Sequence, residues 1–260
     1  MNHNLMTMRA SDGSVIRLEC HDALPSTAKL AREYAKLGYP DRYVVFSEIK
    51  QKSGFDEKLK GESDRGIYMS CILRPSIFPS QAALLSSMCA VAITTALEEH
   101  TTQPIGIGWV SKIYCNNTVI GDVNIEGKLD NFTSYEYIIV NISLTLSEAN
   151  FPPRLTDLLR KVFESENTSI PIIIAKNILN KFFSFYPTLK NSTKFMDIYR
   201  QKFILRGQKV KYLTGGRKQS CKVLGIKTDD SSLIVEDKNK KVVYISTPNK
   251  VTIPKKISNK

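Results

Sequence analysis

At 260 residues, 42% apolar and 24% charged, the chain is sized for one large domain or a large and a small one. No apolar run approaches the roughly 18 residues of a membrane helix, and the five scattered cysteines form no C-x-x-C pair, so neither a zinc site nor a disulfide framework is expected. The net charge of +12 is uneven: Arg206 to Lys260 hold 14 Lys and Arg against 4 Asp and Glu, a net +10, which leaves +2 for the first 205 residues.

The opening Met1-Asn-His-Asn-Leu-Met-Thr-Met-Arg lacks the basic-then-apolar layout of a secretion signal, so a cytoplasmic protein is expected. Val15-Ile-Arg-Leu-Glu-Cys reads as a strand. Ser26 or Thr27 then caps a helix over 28–37, which Gly38 ends. Tyr43-Val-Val-Phe reads as a buried strand. Residues 50–65 form a charged loop, followed by a strand over 66–75 that Pro75 closes. Ser80–Glu99 is patterned as a long helix, with Leu84, Leu85, Met88, Val91, Ala92 and Leu97 for its core face. A strand over 106–115 turns through Asn116-Asn117 into a strand over 118–126, and residues 135–146 alternate as a further strand. Helices are expected at 154–164 and 170–186.

Residues 207–253 read as four or five short strands with turns at Thr214-Gly-Gly, Thr228-Asp-Asp-Ser and Asp237-Lys-Asn, the pattern of a small barrel. The chain is therefore expected to be α+β: a class II synthetase-like mixed or antiparallel sheet with helices over 1–205, then a basic SH3-like β-barrel over 206–260. The basic segment offers a surface to a polyanion or an acidic protein, or is simply a soluble lysine-rich module. No recognition helix, zinc finger or aromatic-basic RNA motif accompanies it, so specific nucleic-acid binding is not expected. His21 and His100 are expected at the surface or a helix end, and Cys115 has no evident activating partner.

The strand Gly66-Ile-Tyr-Met-Ser-Cys-Ile-Leu-Arg-Pro closely resembles the Gly-Leu-Tyr-Leu-Ser-Leu-Leu-Leu-Arg-Pro strand of biotin protein ligases. Ser26-Thr27 is similar to the family's Ser-Thr-Asn, and Glu48 and Gln51 to its Ala-Glu-x-Gln. Ile107-Gly-Trp-Val-Ser-Lys-Ile-Tyr resembles Ile-Lys-Trp-Pro-Asn-Asp-Ile-Tyr, and Val119-Ile-Gly-Asp-Val-Asn-Ile-Glu resembles Lys-Val-Gly-Gly-Ile-Leu-Ile-Glu. The strand Tyr137-Ile-Ile-Val-Asn-Ile-Ser-Leu and the barrel's Gly207-Gln-Lys-Val and Thr214-Gly-Gly follow in family order. The family's helix-turn-helix has no counterpart, so a repressor of that kind is not expected.

The resemblance implies that biotin is activated by ATP and Mg2+ and joined, through biotinyl-AMP, to a lysine of a biotin carrier domain of a carboxylase; it leaves room for a homodimer. It implies biotin and adenylate contacts from Ser26, Thr27, Gln51, Gly66, Tyr68, Trp109, Gly121, Asp122 and Asn141, with no protein-held metal. Core packing is an equal reading of Trp109.

Acyl-adenylate chemistry brings a carboxylate to the α-phosphate, so positive charge must be fixed there beforehand. The family uses arginines of a glycine-rich loop and a lysine of the second hairpin. Here the loop is Lys50-Gln-Lys-Ser-Gly-Phe-Asp-Glu-Lys-Leu-Lys-Gly-Glu-Ser-Asp-Arg65, and the hairpin lysine falls on Val119. The Lys and Asp of Lys-Trp-Pro-Asn-Asp fall on Gly108 and Lys112, the next turn's second glycine on Asp122, and the small residue of the last strand on Asn141. The rewritten loop still supplies Lys50, Lys52, Lys58, Lys60 and Arg65, or is simply a solvated loop, and Lys112 adds a cation in the neighbouring hairpin; Lys112 and Lys50 are the candidate catalytic groups. A non-catalytic descendant that binds a ligand or a protein is the alternative expectation.

Overall fold

The computed structural model describes residues 3–50, 65–130, 134–146, 169–189 and 191–253. Gln51, the body of the lysine-bearing loop and the helix expected at 154–164 lie outside the described residues, as do the side chains of Lys50 and Arg65.

Eight strands form the first sheet, in the order β1-β2-β3-β4-β8-β7-β6-β5. They are β1 (His3–Arg9), β2 (Val15–Leu24), β3 (Tyr43–Lys50), β4 (Arg65–Leu73), β5 (Ile105–Gly108), β6 (Lys112–Cys115), β7 (Thr118–Asp130) and β8 (Ser134–Thr145). Only β2 and β3 run parallel, joined by helix α1 (Thr27–Lys36); the other neighbours are antiparallel. This is the mixed sheet expected from the sequence.

One face of the sheet carries α1. The other carries α2 (Ala82–Glu98), which packs against α3 (Ile170–Phe185) and α4 (Thr193–Lys202). Because α2 is covered on every side, Ser87, Cys89, Ala90, Ile93, Thr94 and Ala96 are buried as well as the expected face. Its polar Thr94 folds back on Ala90 O and Val91 O, each at 3.0 Å.

The second sheet is antiparallel, in the order β12-β11-β10-β9-β13, built from β9 (Lys209–Thr214), β10 (Arg217–Ile226), β11 (Leu233–Glu236), β12 (Val242–Ile245) and β13 (Val251–Thr252). These are the five strands read from 207–253. Its inward residues Val210, Cys221, Val223, Leu233, Val235 and Ile245 join the same apolar cluster as the first sheet and α2. Trp109 Nε1 donates to Ser231 O at 2.7 Å, and Ser231 Oγ lies 2.8 Å from Ser87 Oγ, so α2 and the second sheet meet over a defined polar seam.

Four expectations need correcting. Strand β1 was not foreseen. The strand expected over 106–115 is broken into β5 and β6 at 109–111, where Tyr199 OH donates to Val110 O at 2.7 Å. Helix α4 was not foreseen, although Phe195, Met196 and Tyr199 form its buried stripe. His21 is not at the surface: it is buried on β2, with Nε2 2.7 Å from Glu19 Oε1. The Asn116-Asn117 turn is as expected, both residues at positive φ (48° and 62°), which closes a two-residue hairpin with the twist of its strands.

Candidate functional site

Two cavities share the rim of β7. The smaller, about 150 Å³, lies between the N-terminus of α1, β4, β7 and β8; Ser26, Thr27, Tyr68, Asp122, Asn124 and Asn141 are in its wall. The larger, about 590 Å³, runs from the start of α2 past Trp109 and Lys112 to the second sheet. Asp122 and Asn124 face both.

Ser26 has extended backbone (φ −163°, ψ 113°) and its Oγ accepts from Lys29 N at 3.2 Å, so its hydroxyl caps α1. That cap points the first helical residue, Thr27, at the sheet. Thr27 Oγ1 lies 2.9 Å from Ser70 Oγ on β4; Ser70 Oγ lies 2.7 Å from Asn141 Oδ1 on β8, which stands directly opposite it in register. Asn141 Nδ2 donates to Glu126 Oε1 at 3.1 Å, and Glu126 is held by Arg32 of α1 through bonds of 2.8–3.1 Å.

Proton directions along this chain follow from its ends. A carboxylate only accepts, so Glu126 fixes the Asn141 amide with Nδ2 toward itself. Asn141 Oδ1 must then accept, so Ser70 donates its single proton to it. Ser70 can only accept from Thr27, which spends its own proton there. The Thr27 oxygen is left with lone pairs at the cavity, poised to accept from a ligand N–H.

The structure gathers Ser26, Thr27, Tyr68, Asp122 and Asn141 around one cavity. It separates others. Trp109 is 3% exposed, with its N–H committed to Ser231, and lines the larger cavity; Lys112 does too. Gly66 and Gly121 line neither cavity among the described residues. Their want of a side chain is set by β8: a Cβ at Gly66 would lie 2.1 Å from Leu144 O, and one at Gly121 2.0 Å from Ser143 O. Val119 is half-buried against the core and lines neither cavity. Lys50 ends β3 opposite Leu24 of the smaller cavity.

Sequence reasoning missed Ser70, Glu126 and Arg32. Ser70 had a signal: a hydroxyl in an otherwise apolar strand, here fully buried. Glu126 and Arg32 had none, because they are 94 residues apart.

The described wall of the larger cavity carries Asp122, Glu126, Asp230 and Lys112; Glu126 is already paired with Arg32 at 2.8 Å and Asp230 with Lys227 at 3.6 Å, and Lys112 stands opposite Asp122 across β6 and β7. An added anion about 4 Å from another costs about 4 kcal/mol at an effective dielectric of 20. A polyphosphate here needs cations from elsewhere. Among the described residues no group of three or more His, Cys, Asp or Glu is placed to hold a metal ion.

A second polar cluster lies beneath α1. Glu19, 4% exposed, accepts from Tyr34 OH at 3.1 Å and from Tyr43 OH, and meets His21. Burial would raise its pKa; the bonds from Tyr43, His21 and Tyr34 outweigh this and hold it below the ordinary value. The same burial and the Glu19 charge push Tyr34 up to about 12. This cluster pins α1 to the sheet through the Tyr34–Glu19 bond to β2 and the edge-on contact of Tyr34 with Tyr43 of β3, ring centres 5.8 Å apart.

No protein-family model matches the chain. Over 154 residues it is 27% identical to the bifunctional ligase/repressor BirA of Bacillus subtilis, covering 58% of this chain and 47% of that protein. The chain spans about half the length of the curated relatives it matches. The biotin protein ligase of Aquifex aeolicus, solved with biotin and ATP, superposes with a TM-score of 0.63 at 17% identity, over 90% of this chain and 97% of that one. A biotin protein ligase-like protein of unknown function from Silicibacter superposes with a TM-score of 0.62 at 15% identity, over 93% and 97%. At these identities the superpositions show a common fold. Among the described residues no helix is long and apolar enough to cross a membrane.

Proposed function

We propose that the chain, similar in sequence to BirA over 154 residues and in fold to biotin protein ligases, binds biotin in the smaller cavity and joins it, through biotinyl-AMP, to a carrier lysine. The observation that carries this reading is the ordered chain Arg32–Glu126–Asn141–Ser70–Thr27, which leaves an acceptor oxygen facing the cavity. A cyclic urea offers N–H donors to such an oxygen, and Asn124, Asp122 and Ser143 add polar groups beside it.

ATP enters the reading as the second substrate. Its phosphates belong in the larger cavity, next to Lys112, with Asp122 between the two spaces. Lys112 acts as a point charge on a phosphoryl oxygen. Lys50, the last residue of β3, is the other candidate cation. Mg2+ arrives with the nucleotide phosphates, since such ions are commonly held by one or two carboxylates and the substrate. Trp109 closes the wall of this cavity by its bond to Ser231 and so holds its shape.

A second reading has an observation of its own. A valine at the expected hairpin lysine, with Lys112 the one cation among the described wall residues of the larger cavity, suits a protein that keeps the ligand site and has lost adenylation. Purified protein with ATP and biotin separates the two. Under the ligase reading, pyrophosphate exchanges into ATP and a carrier domain becomes labelled. Calorimetric heat on adding biotin without exchange assigns the non-catalytic reading; neither heat nor exchange removes both.

A further inference from the structure

We propose that the outer face of the second sheet is the docking surface for an acidic acceptor protein. This rests on the ligase reading above for the identity of the partner, and on the surface itself for its chemistry.

Alternation along the strands sorts the sheet into two faces. Val210, Cys221, Val223, Val235 and Ile245 point inward and are buried. Lys209 and Lys211 of β9, and Lys218 and Lys222 of β10, are exposed between them, on the outer face. Lys209 stands directly opposite Lys222. Like charges facing each other across a strand pair are destabilising, so the sheet itself gains nothing from this arrangement. On its other side Lys222 faces Glu236, but that carboxylate is taken by Lys240 at 3.3 Å. Among the described residues no ion pair neutralises Lys209, Lys211, Lys218 or Lys222.

The same face is not purely polar. Leu213 is 38% exposed, Leu224 36%, Val242 44% and Tyr244 61%. Leu224 stands out at the bulge in β10, and Tyr244 lies opposite Ile234. Unpaired lysines interleaved with aliphatic side chains fit a protein surface that carries acidic groups around apolar ones. A phosphate backbone would use the lysines and leave the aliphatics wet; it favours arginines and several stacking rings, and this face has one tyrosine.

Position supports the assignment. Lys211 pairs with Thr252, whose neighbours Val251 and Ile253 line the larger cavity, and two residues past Tyr244 Ser246 does the same. The edge strand β13 thus divides the two: Thr252 lies on the side of Lys211, Val251 and Ile253 turn to the cavity, and the lysine face adjoins the cavity across one strand.

The test uses the full chain and an isolated carrier domain of negative net charge, its acceptor lysine replaced by alanine so that binding is read without turnover. The triple variant Lys209→Gln/Lys211→Gln/Lys222→Gln is expected to bind this domain about tenfold more weakly and to lose most of the salt dependence. Leu224→Ser with Tyr244→Ser is expected to weaken binding at every salt concentration. All five positions are exposed, so folding is retained, which a thermal melt verifies. Biotin-dependent pyrophosphate exchange, which needs no carrier, is expected to stay at the parent rate in both variants. Absent exchange with lysine-dependent carrier binding removes the ligase reading and supports the surface. Absent carrier binding, carrier affinity indifferent to the triple substitution, or a short DNA duplex that binds more tightly than the carrier and is lost in the triple variant overturns the proposal.

Discussion

Replacing Ser70 by alanine tests the hydroxyl chain at its least replaceable link. Ser70 is fully buried and makes two contacts, 2.9 Å to Thr27 Oγ1 and 2.7 Å to Asn141 Oδ1. A net intramolecular hydrogen bond contributes about 1 kcal/mol, and an orphaned buried acceptor costs about 1–3 kcal/mol. Thr27 faces a cavity and can turn to water; Asn141 Oδ1 loses the Ser70 hydroxyl inside the sheet. The expected loss is therefore about 2 kcal/mol, most of it at Asn141. For a chain of this size that corresponds to a fall of about 4–8 °C in melting temperature. Urea unfolding followed by the fluorescence of the single tryptophan gives the stability change directly. Ser70→Ala also frees the Thr27 proton, so biotin affinity is expected to drop about tenfold, because a donor now competes for the acceptor position. A stability change under about 0.5 kcal/mol with unaltered affinity refutes the directional chain.

Three further outcomes are expected. Val119→Lys puts a lysine at the aligned family position, but Val119 packs against the core and lines neither cavity, so pyrophosphate exchange is expected to stay at the parent rate; a rise of about 10²-fold would show that this side chain reaches the reacting phosphate. Glu19 has a folded pKa below its ordinary 4.5, so its contribution is complete above that pH and is lost as pH falls through the folded value; the stability gap between wild type and Glu19→Gln is expected to shrink as pH falls below 4.5, and the Tyr34 contribution, with a folded pKa of about 12, is expected to fade as pH climbs from 10 toward 12. Gly121→Ala and Gly66→Ala each drive a methyl into a β8 carbonyl and are expected to cost about 3 kcal/mol, read as a shift in urea midpoint.

Much of the fold was legible because local signals agreed with the final packing. Ser26 before an apolar-periodic run and Gly38 after it bracket α1, which ends at Lys36, and Asn116-Asn117 sits where the hairpin needs two left-handed residues. The Phe195, Met196 and Tyr199 stripe of α4 was present in the sequence but lies just ahead of the boundary read near residue 205, in a stretch given no element. The break at 109–111 could not be read from periodicity, because Trp109 is drawn to Ser231, 122 residues away.

The site was legible in its residue types and not in its connections. Ser26, Thr27, Tyr68, Asp122 and Asn141 were singled out by likeness to a family pattern, and they do share a cavity. What joins Thr27 to Asn141 is the β4–β8 register, which sets Ser70 opposite Asn141 across 71 residues of sequence. Burial of His21 was equally hidden, since Glu19 and the tyrosines from α1 and β3 supply its setting. Gly66 and Gly121 were expected for close approach of a ligand, whereas backbone atoms of β8 already occupy the space a side chain would take.

Titration calorimetry of biotin into the chain and into Thr27→Val tests the central claim most directly, since valine keeps the shape of threonine and removes its oxygen. Saturable heat with the parent protein, weakened at least about tenfold by the substitution, is the expected result. No heat with the parent, or equal affinity in the two proteins, contradicts an acceptor oxygen at Thr27 as the group that receives the ligand.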